Sequence, residues 1–160
     1  MNKASLVQAI IEQLNCDYLS LLHAAQTAHL AATDPENSPD NKYETLALES
    51  SYIAQGQANR AVEIRLALDL YRQLSLRHFN NNDCVYMTAL VDIESTNGCR
   101  RRLFLGPAAG GLKIVIENST VVVMTPDSPL GRGLLGKEVG DRIEIIVDNV
   151  STEYELLSLS

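Results

Sequence analysis

The sequence is poor in aromatic residues: its 160 residues include two phenylalanines, six tyrosines and no tryptophan. A ligand pocket lined by aromatic rings is therefore hard to build from this chain. Basic residues are fewer than acidic ones, and the formal net charge is −7. This charge excludes a protein that binds DNA or RNA without sequence preference by neutralising the phosphates. No apolar run approaches the length of a membrane-spanning helix, and the first residues lack the apolar core of a signal peptide.

The three cysteines, Cys16, Cys84 and Cys99, are widely spaced and form no CxxC or Cys/His pattern. A structural zinc site is therefore not expected, and a reducing cytoplasm is the simplest predicted location. The composition, 46% hydrophobic and 21% charged, is typical of a globular chain with one ordinary domain or two small ones.

Apolar or small residues recur in the first 33 residues at alternating spacings of four and three, which is a heptad pattern. Ser5 with Gln8 resembles a capping box at the start of this predicted helix. Asp34-Pro35 ends it, because proline disfavours the helical conformation in the residue before it. The predicted seam consists of Val7, Ile11, Leu14, Tyr18, Leu21, Ala25, Ala28 and Ala32.

A second helical pattern begins at Ser38-Pro39, a capping serine followed by proline at the first helical position. Because only a short turn separates the two patterns, they predict an antiparallel coiled-coil hairpin over residues 1–76. The predicted second seam consists of Tyr43, Leu46, Ser50, Ile53, Gln57, Arg60, Ile64, Ala67, Tyr71 and Leu74.

After residue 76 the pattern changes from helical to alternating. The asparagine-rich segment 77–84 predicts a linker, and 85–160 predicts a domain made mainly of antiparallel strands with one short helix at 129–136. The chain as a whole is therefore expected to be α+β. The strands are predicted at 85–93, 99–106, 112–117, 120–125, 141–147 and 152–159.

Four carboxylates crowd the predicted tip of the hairpin at 33–44, namely Asp34, Glu36, Asp40 and Glu44. One interpretation is a solvated turn in which Asp40 complements the dipole of the second helix. The other is a set of oxygen ligands for a hard cation such as Mg²⁺, which proteins bind through one or two carboxylates while leaving positions open. The residues alone leave both interpretations open.

Several other patterns carry weak functional signals. Gly131 to Gly136 matches GxGxxG, but no βαβ unit surrounds it, so a dinucleotide site is not predicted. The segment GPAAGG, 106–111, is interpreted as a loop. The three histidines are interpreted as solvated or partner-facing, and no catalytic triad is evident. The run Arg100 to Arg102, on a predicted strand, alternates sides. It is either a solvated sheet edge that discourages aggregation or a patch that touches a partner.

The run TPDSPLGRGLLGKEVGDRIEI (125–145), followed by EYELLSL, resembles the signature of the bacterial Gre transcript-cleavage factor family, with features of its relative Rnk. This resemblance implies a coiled-coil hairpin followed by an FKBP-like C-terminal domain. It also implies a monomer that docks on RNA polymerase at the secondary channel, with the tip sharing a Mg²⁺ at the polymerase active site. The protein would then be a cofactor of the polymerase's own RNA cleavage, with no tightly bound cofactor and no enzyme activity of its own. The docking residues implied are Ser128, Pro129, Leu130, Arg132, Leu134 and Leu135.

The tip departs from the DxxEN pattern of Gre factors, since no ungapped alignment places acids at both positions. Asp40 is the first choice for a metal contact, Glu36 the second, and Asp34 and Glu44 follow. A non-cleaving regulator that occupies the same channel is therefore an alternative function. A peptidyl-prolyl isomerase, suggested by the FKBP-like domain, and a scaffold that dimerises through its coiled coil are further alternatives.

Overall fold

The computed structural model describes residues 2–33, 43–80, 82–147 and 150–160. It confirms the predicted α+β class, with a helical hairpin followed by a domain in which antiparallel strands predominate. The elements are α1 (Lys3–Thr33), α2 (Tyr43–Arg72), β1 (Leu90–Ser95), β2 (Arg100–Leu105), β3 (Lys113–Ile116), β4 (Ser119–Met124), α3 (Pro129–Leu134), β5 (Arg142–Val147) and β6 (Val150–Leu159).

The chain divides into two compact units. Met1–Ile10 and Leu70–Ser160 form the globular unit, and Ile11–Asp69 form the helical unit. The predicted linker, 77–84, lies inside the globular unit, where the backbone N–H of Arg77 donates to Thr88 Oγ1 at 3.0 Å and that of Asn80 donates to Asp83 Oδ2 at 2.8 Å. The domain limits at 76 and 85 stay predictions.

Helix α1 follows the predicted seam from Leu14 to Ala25, but it starts earlier than expected, and its first turns bury Leu6 and Ile10, which lie outside that seam. The seam positions Ala28 and Ala32 lie outside the described side chains. Leu14 is buried, and the next seam positions, Tyr18 and Leu21, are half-buried. The predicted Ser5 capping box is wrong, because the helix begins at Lys3 and Asn2 Oδ1 accepts from the backbone N–H of Ala4 at 2.9 Å. A short amide side chain can cap a helix as well as a hydroxyl can, so Asn2 moves the start forward.

Helix α2 corrects the predicted second seam. Ile53 is 57% exposed and Arg60 is exposed, whereas Ala61 is 2% exposed and Ala54 is half-buried. The seam therefore moves by one residue over this part of the helix and rejoins the predicted positions at Ile64. The small alanine methyl permits close packing, and the shift leaves the Arg60 guanidinium in water, where a charge costs least.

The sheet has six strands in the order β3-β4-β2-β1-β6-β5. The neighbours β1–β2, β1–β6, β3–β4 and β5–β6 are antiparallel, and β2–β4 is parallel. Gly98, with φ 76°, lies in the turn that joins β1 to β2. This positive φ is available to glycine at little cost.

The first strand begins later than predicted. A strand was expected over 85–93, but β1 runs from Leu90 to Ser95. Thr88 adopts φ 70°, a left-handed conformation that interrupts an extended strand. Its N–H donates to the carbonyl of Leu105 at 2.8 Å, and its buried hydroxyl oxygen accepts from Arg77. Val85 and Ala89 are buried all the same, so the alternation detected their burial and not their backbone conformation.

The main core of the globular unit lies between one sheet face and α3. Within it, Leu134 of α3 is 1% exposed, Leu156 of β6 is 0% exposed and Ile143 of β5 is 4% exposed. Burying a side chain of this size stabilises a fold by about 1.5–3 kcal/mol. These contacts fix α3, and with it the segment that the sequence analysis assigned to docking.

Candidate partner-binding site

Most of the predicted metal-binding tip lies outside the described residues. This holds for Asp34, Glu36 and Asp40; Glu44 lies on α2, and its side chain is also outside the description. Among the residues that the structure does describe, no cluster of three or more His, Cys, Asp or Glu could hold a metal ion. The tip assignments therefore stay predictions.

The docking segment is shaped by Ser128, which caps α3. Its hydroxyl accepts from the backbone N–H of Gly131 at 3.0 Å and donates to the carbonyl of Thr125 at 2.7 Å. Pro129 follows at the first helical position, where its missing N–H costs nothing. The serine-proline pair thus starts the helix and fixes the direction in which the chain enters it.

The six predicted docking residues do not form one exposed surface. Leu134 belongs to the core, and Leu130 packs against it, half-buried. Pro129 and Arg132 are exposed, and Leu135 is 36% exposed. The face of α3 available to a partner is therefore apolar with one guanidinium, while Leu134 acts by holding that face in place.

The two helical glycines of GRGLLG have packing roles. A Cβ on Gly131 would lie 2.0 Å from the carbonyl oxygen of Thr125, and one on Gly133 would lie 2.7 Å from Ile143. The carbonyl of Thr125 is backbone and cannot move aside, so position 131 requires glycine for α3 to lie against its neighbours. At Gly133 the neighbouring atoms are the ends of the Ile143 and Ile145 side chains, which would have to shift to admit a methyl group. This accounts for the motif without any bound phosphate.

The three consecutive arginines lie on β2, an inner strand, so their interpretation as a solvated sheet edge is wrong. Arg102 forms a two-point ion pair with Asp92 across β1, with Nε–Oδ1 at 2.6 Å and Nη2–Oδ2 at 2.9 Å. Ser158 also donates to Asp92, at 2.9 Å. The hydrogen bond from Arg102 holds the pKa of Asp92 below its usual value, despite partial burial. The sequence pattern does not reveal these ion-pair partners, because the register of β1 against β2 decides them.

A second basic cluster lies beside the first residues of α1. Lys3 Nζ lies 4.7 Å from the centre of the Phe79 ring, and the Arg77 guanidinium lies 5.3 Å from the same ring. Arg77 also lies 5.4 Å from the centre of the Tyr86 ring. Burial lowers the pKa of Lys3. Cations over aromatic rings stabilise structures by roughly 0.5–1 kcal/mol at such sites, so this cluster fastens the predicted linker within the globular unit.

Cys16, Cys84 and Cys99 are free. Cys84 is half-buried, and its Sγ donates to Glu138 at 3.5 Å. Partial burial, together with Glu138, raises the pKa of the Cys84 thiol, which disfavours the reactive thiolate.

The two units differ sharply in charge. Residues 11–69 contain nine acidic and three basic residues, and so carry −6 of the chain's net charge of −7. The rest of the chain contains eleven acidic and ten basic residues and is nearly neutral. Among the described helices, none is both long enough and apolar enough to cross a membrane.

Comparison with known families identifies the C-terminal half. Residues 80–160 match the family described as transcription elongation factor, GreA/GreB, C-terminal. The match contains the 125–145 run, α3 and the whole sheet. No curated protein sequence matches the chain.

Two solved structures are among those similar to this chain. GreA factor homolog 1 of Thermus thermophilus is 16% identical, covers 96% of this chain and 94% of its own, and has a TM-score of 0.39. A GreA/GreB elongation factor from Nitrosomonas europaea is 14% identical over 61% of this chain and 78% of its own, with a TM-score of 0.38. The assignment rests on the match of residues 80–160, and by that match the chain belongs to the GreA/GreB family of transcription elongation factors.

Proposed function

We propose that the protein binds RNA polymerase in the cytoplasm, with its globular unit at the rim of the secondary channel and its helical unit inserted into that channel. The single observation that carries this proposal is the family match of residues 80–160, since factors of this family are accessory to transcription and are not enzymes by themselves. The exposed residues of α3, Pro129, Arg132 and Leu135, form the proposed contact with the rim.

The charge of the helical unit supports insertion. A unit with a net charge of −6 is attracted to a passage lined by basic groups, and low-dielectric walls strengthen such attraction. The same charge opposes direct binding to nucleic acid, because phosphates repel it. The protein therefore reaches the transcript through the polymerase and not by holding RNA itself.

The tip acids complete the proposal. Asp40 and Glu36, with Asp34 and Glu44 nearby in sequence, would supply carboxylate oxygens for a Mg²⁺ shared with the polymerase active site. The metal would supply an activated water, and the polymerase would carry out the RNA cleavage. The contribution of this chain is to place negative charge where the cation is held.

A second function is favoured by the composition of the tip. The acids of the Gre pattern are three residues apart, and the alignment that places Asp40 at the glutamate position leaves Asn37 at the aspartate position. An amide oxygen ligates Mg²⁺ more weakly than a carboxylate does. The alternative is therefore a factor that occupies the channel without stimulating cleavage, and so competes with other channel-binding factors.

One assay distinguishes the two functions. Purified protein is added to a stalled, backtracked transcription complex that carries labelled RNA, and the length of the RNA is followed with time. The variants are Asp40→Asn, which removes one tip charge without changing shape, and Glu63→Gln, which removes one charge from an exposed position on α2. Binding to the polymerase is measured in parallel for each protein.

The proposed cleavage function predicts rapid RNA shortening with the wild-type protein and with Glu63→Gln, and a loss of at least tenfold in rate with Asp40→Asn. Tight binding without shortening in any of the three proteins supports the alternative function. Absence of binding to the polymerase contradicts both.

A further inference from the structure

A cleft of about 370 Å³ lies on the globular unit, between the first residues of α1 and the segment 76–79. Lys3, Arg77 and His78 line this cleft, together with Phe79 and Ser160. None of the aspartates and glutamates that the structure describes belongs to the lining. Even with a terminal carboxylate at Ser160, the charges of Lys3 and Arg77 therefore leave the cleft with a net positive charge.

The charges of Lys3 and Arg77 converge on a single ring. Lys3 Nζ lies 4.7 Å from the centre of the Phe79 ring, and the Arg77 guanidinium lies 5.3 Å from the same centre. The two charges are therefore separated by no more than the sum of these distances. Two cations this close repel each other, and an anion that contacts both would offset the repulsion.

Neither cation is neutralised by an acid in the part of the chain that the structure describes. Lys3 Nζ donates to the backbone carbonyl of Arg77, which uses one of its three N–H donors. Arg77 contacts the rings of Phe79 and Tyr86, and its guanidinium donates to none of the described residues. Most of the N–H donors of this pair are therefore left for an external anion.

The environment of Lys3 also favours an anionic ligand. Lys3 is half-buried, and this burial lowers the pKa of its ammonium group. Burial disfavours the charged form of a lysine, and a nearby negative charge favours it. A bound anion would therefore stabilise a cation that the described residues leave without an acid.

We propose that this cleft binds the phosphate groups of a small phosphorylated molecule. The oxygens of a phosphate point in several directions, so one group can contact the ammonium of Lys3 and the guanidinium of Arg77 together. His78 lines the same cleft and adds an imidazole N–H donor. A cleft of about 370 Å³ is of the size that proteins use for small ligands.

A long nucleic acid fits this cleft less well. The chain has a net charge of −7, which repels an extended polyanion. A small phosphate is affected chiefly by charges within roughly 8–10 Å, because salt screens those farther away. The local excess of cations therefore favours the small ligand.

The proposal does not rest on polymerase binding and is tested with the full chain alone. The probes are inorganic pyrophosphate and ATP, both without divalent metal ions, and the control compound is adenosine. Each compound is titrated into the ¹⁵N-labelled protein, and the shifts of the backbone amide signals give the affinity and locate the contact.

The expected result is binding of pyrophosphate and ATP but not of adenosine, with shifts at the start of α1 and over 76–79. Equal affinities of the two probes would show that the phosphates alone are recognised. Tighter binding of ATP would show that the cleft also contacts the nucleoside. Both results support the proposal.

Matched variants separate charge from shape. The double variant Lys3→Gln/Arg77→Gln is expected to weaken pyrophosphate binding by at least about tenfold. Its first glutamine keeps an N–H donor for the carbonyl of residue 77. Lys3→Arg/Arg77→Lys keeps both charges and should stay within about threefold of the wild type. Lys113→Gln removes an exposed cation of β3 that does not line the cleft, and should leave binding unchanged.

The pKa of Lys3 gives a readout that a merely structural role would not change. Measured by NMR, this pKa should rise when pyrophosphate saturates the protein, because the anion favours the charged ammonium. An unchanged pKa at saturation overturns the proposal. So do the absence of shifts at millimolar pyrophosphate, and an unchanged affinity in the double glutamine variant whose circular dichroism matches the wild type. Tighter binding of a single-stranded RNA without terminal phosphates to the same residues also overturns it.

Discussion

The two units of the chain differ in the size of the side chains that they bury and in the net charge that they carry. The largest fully buried side chains, among them Tyr71, Phe104 and Leu156, all belong to the globular unit. In the described part of the helical unit, the buried hydrophobic positions are two leucines and two alanines, Leu14, Ala61, Ala67 and Leu68. The helical unit instead holds most of the net negative charge. Stability is therefore concentrated in one unit, and charge in the other.

This difference suggests a division of roles. A unit with a packed core holds surface residues at fixed positions, as a docking surface requires. The described part of the helical unit buries two leucines and two alanines, so it buries little apolar area and derives less stability from packing. Matched substitutions, one in each unit, test whether the two units differ in packing as described.

The largest contrast is expected between two glycine substitutions. Gly131→Ala places a methyl group against the carbonyl of Thr125, at a distance that α3 cannot keep without shifting. A loss of about 3 kcal/mol in unfolding free energy is expected. Gly56→Ala in α2 meets no atom within 4 Å and should stabilise the helix by about 0.5–1 kcal/mol. Urea denaturation measures both, and equal effects would refute the comparison.

The next contrast tests the corrected seam of α2. Ala61 is 2% exposed, so Ala61→Leu overpacks the position and should cost about 2 kcal/mol. Ile53→Ala should change stability by less than about 0.5 kcal/mol, because Ile53 is 57% exposed. Helicity measured by circular dichroism during thermal unfolding reports both variants. A large loss of stability with Ile53→Ala and none with Ala61→Leu would contradict the corrected seam and support the one predicted from the sequence.

A smaller contrast concerns two tyrosines. Tyr71 is 1% exposed, and its hydroxyl donates to the carbonyl of Ala108 at 2.8 Å. Tyr71→Phe leaves that carbonyl without its partner and should cost about 1–1.5 kcal/mol. Tyr52→Phe changes a side chain that is 75% exposed on α2 and should have no measurable effect. Comparable losses in denaturation midpoint would show that the helical unit is packed as well as the globular unit.

The smallest effect depends on pH. The hydrogen bond from Arg102 lowers the pKa of Asp92 in the folded state. The pair therefore stabilises the fold fully at pH values above the pKa of an aspartate in the unfolded chain, about 3.9. This stabilisation is lost as the pH falls through the lower pKa of the folded state. Asp92→Asn should cost about 1 kcal/mol at pH 7, a value reduced because the pair is partly exposed. The difference in unfolding free energy between Asp92→Asn and the wild type, measured by urea denaturation, should shrink below about pH 4.

Much of the fold was predictable because its signals are local. The heptad spacing gave the α1 seam, and alternation gave β2 to β6 within about two residues at each end. The errors have non-local causes. Thr88 leaves the strand conformation because Arg77 and Leu105 bond to it, and spacing cannot reveal such contacts. Likewise, the partners of Arg100 and Arg102 follow from the β1–β2 register.

Some features of the candidate sites were predictable from the sequence, and others were not. The serine-proline start of α3 was evident from the sequence, since caps are local features. That Leu134 belongs to the core was not evident, because a short apolar helix shows no clear difference between its buried and exposed faces. The roles of the tip acids rest on resemblance and stay predictions.

The central claim is that the helical unit carries the tip to the polymerase active site while the globular unit stays outside. Site-specific photo-cross-linking tests it most directly, with the photoreactive residue at Asn37 in the tip segment or at Val115, which is 75% exposed on β3. The account predicts that Asn37 cross-links to polymerase segments lining the active site or to the 3′ segment of backtracked RNA, and that Val115 does neither. Adducts from Asn37 only on the outer surface of the polymerase, with binding retained, would contradict it.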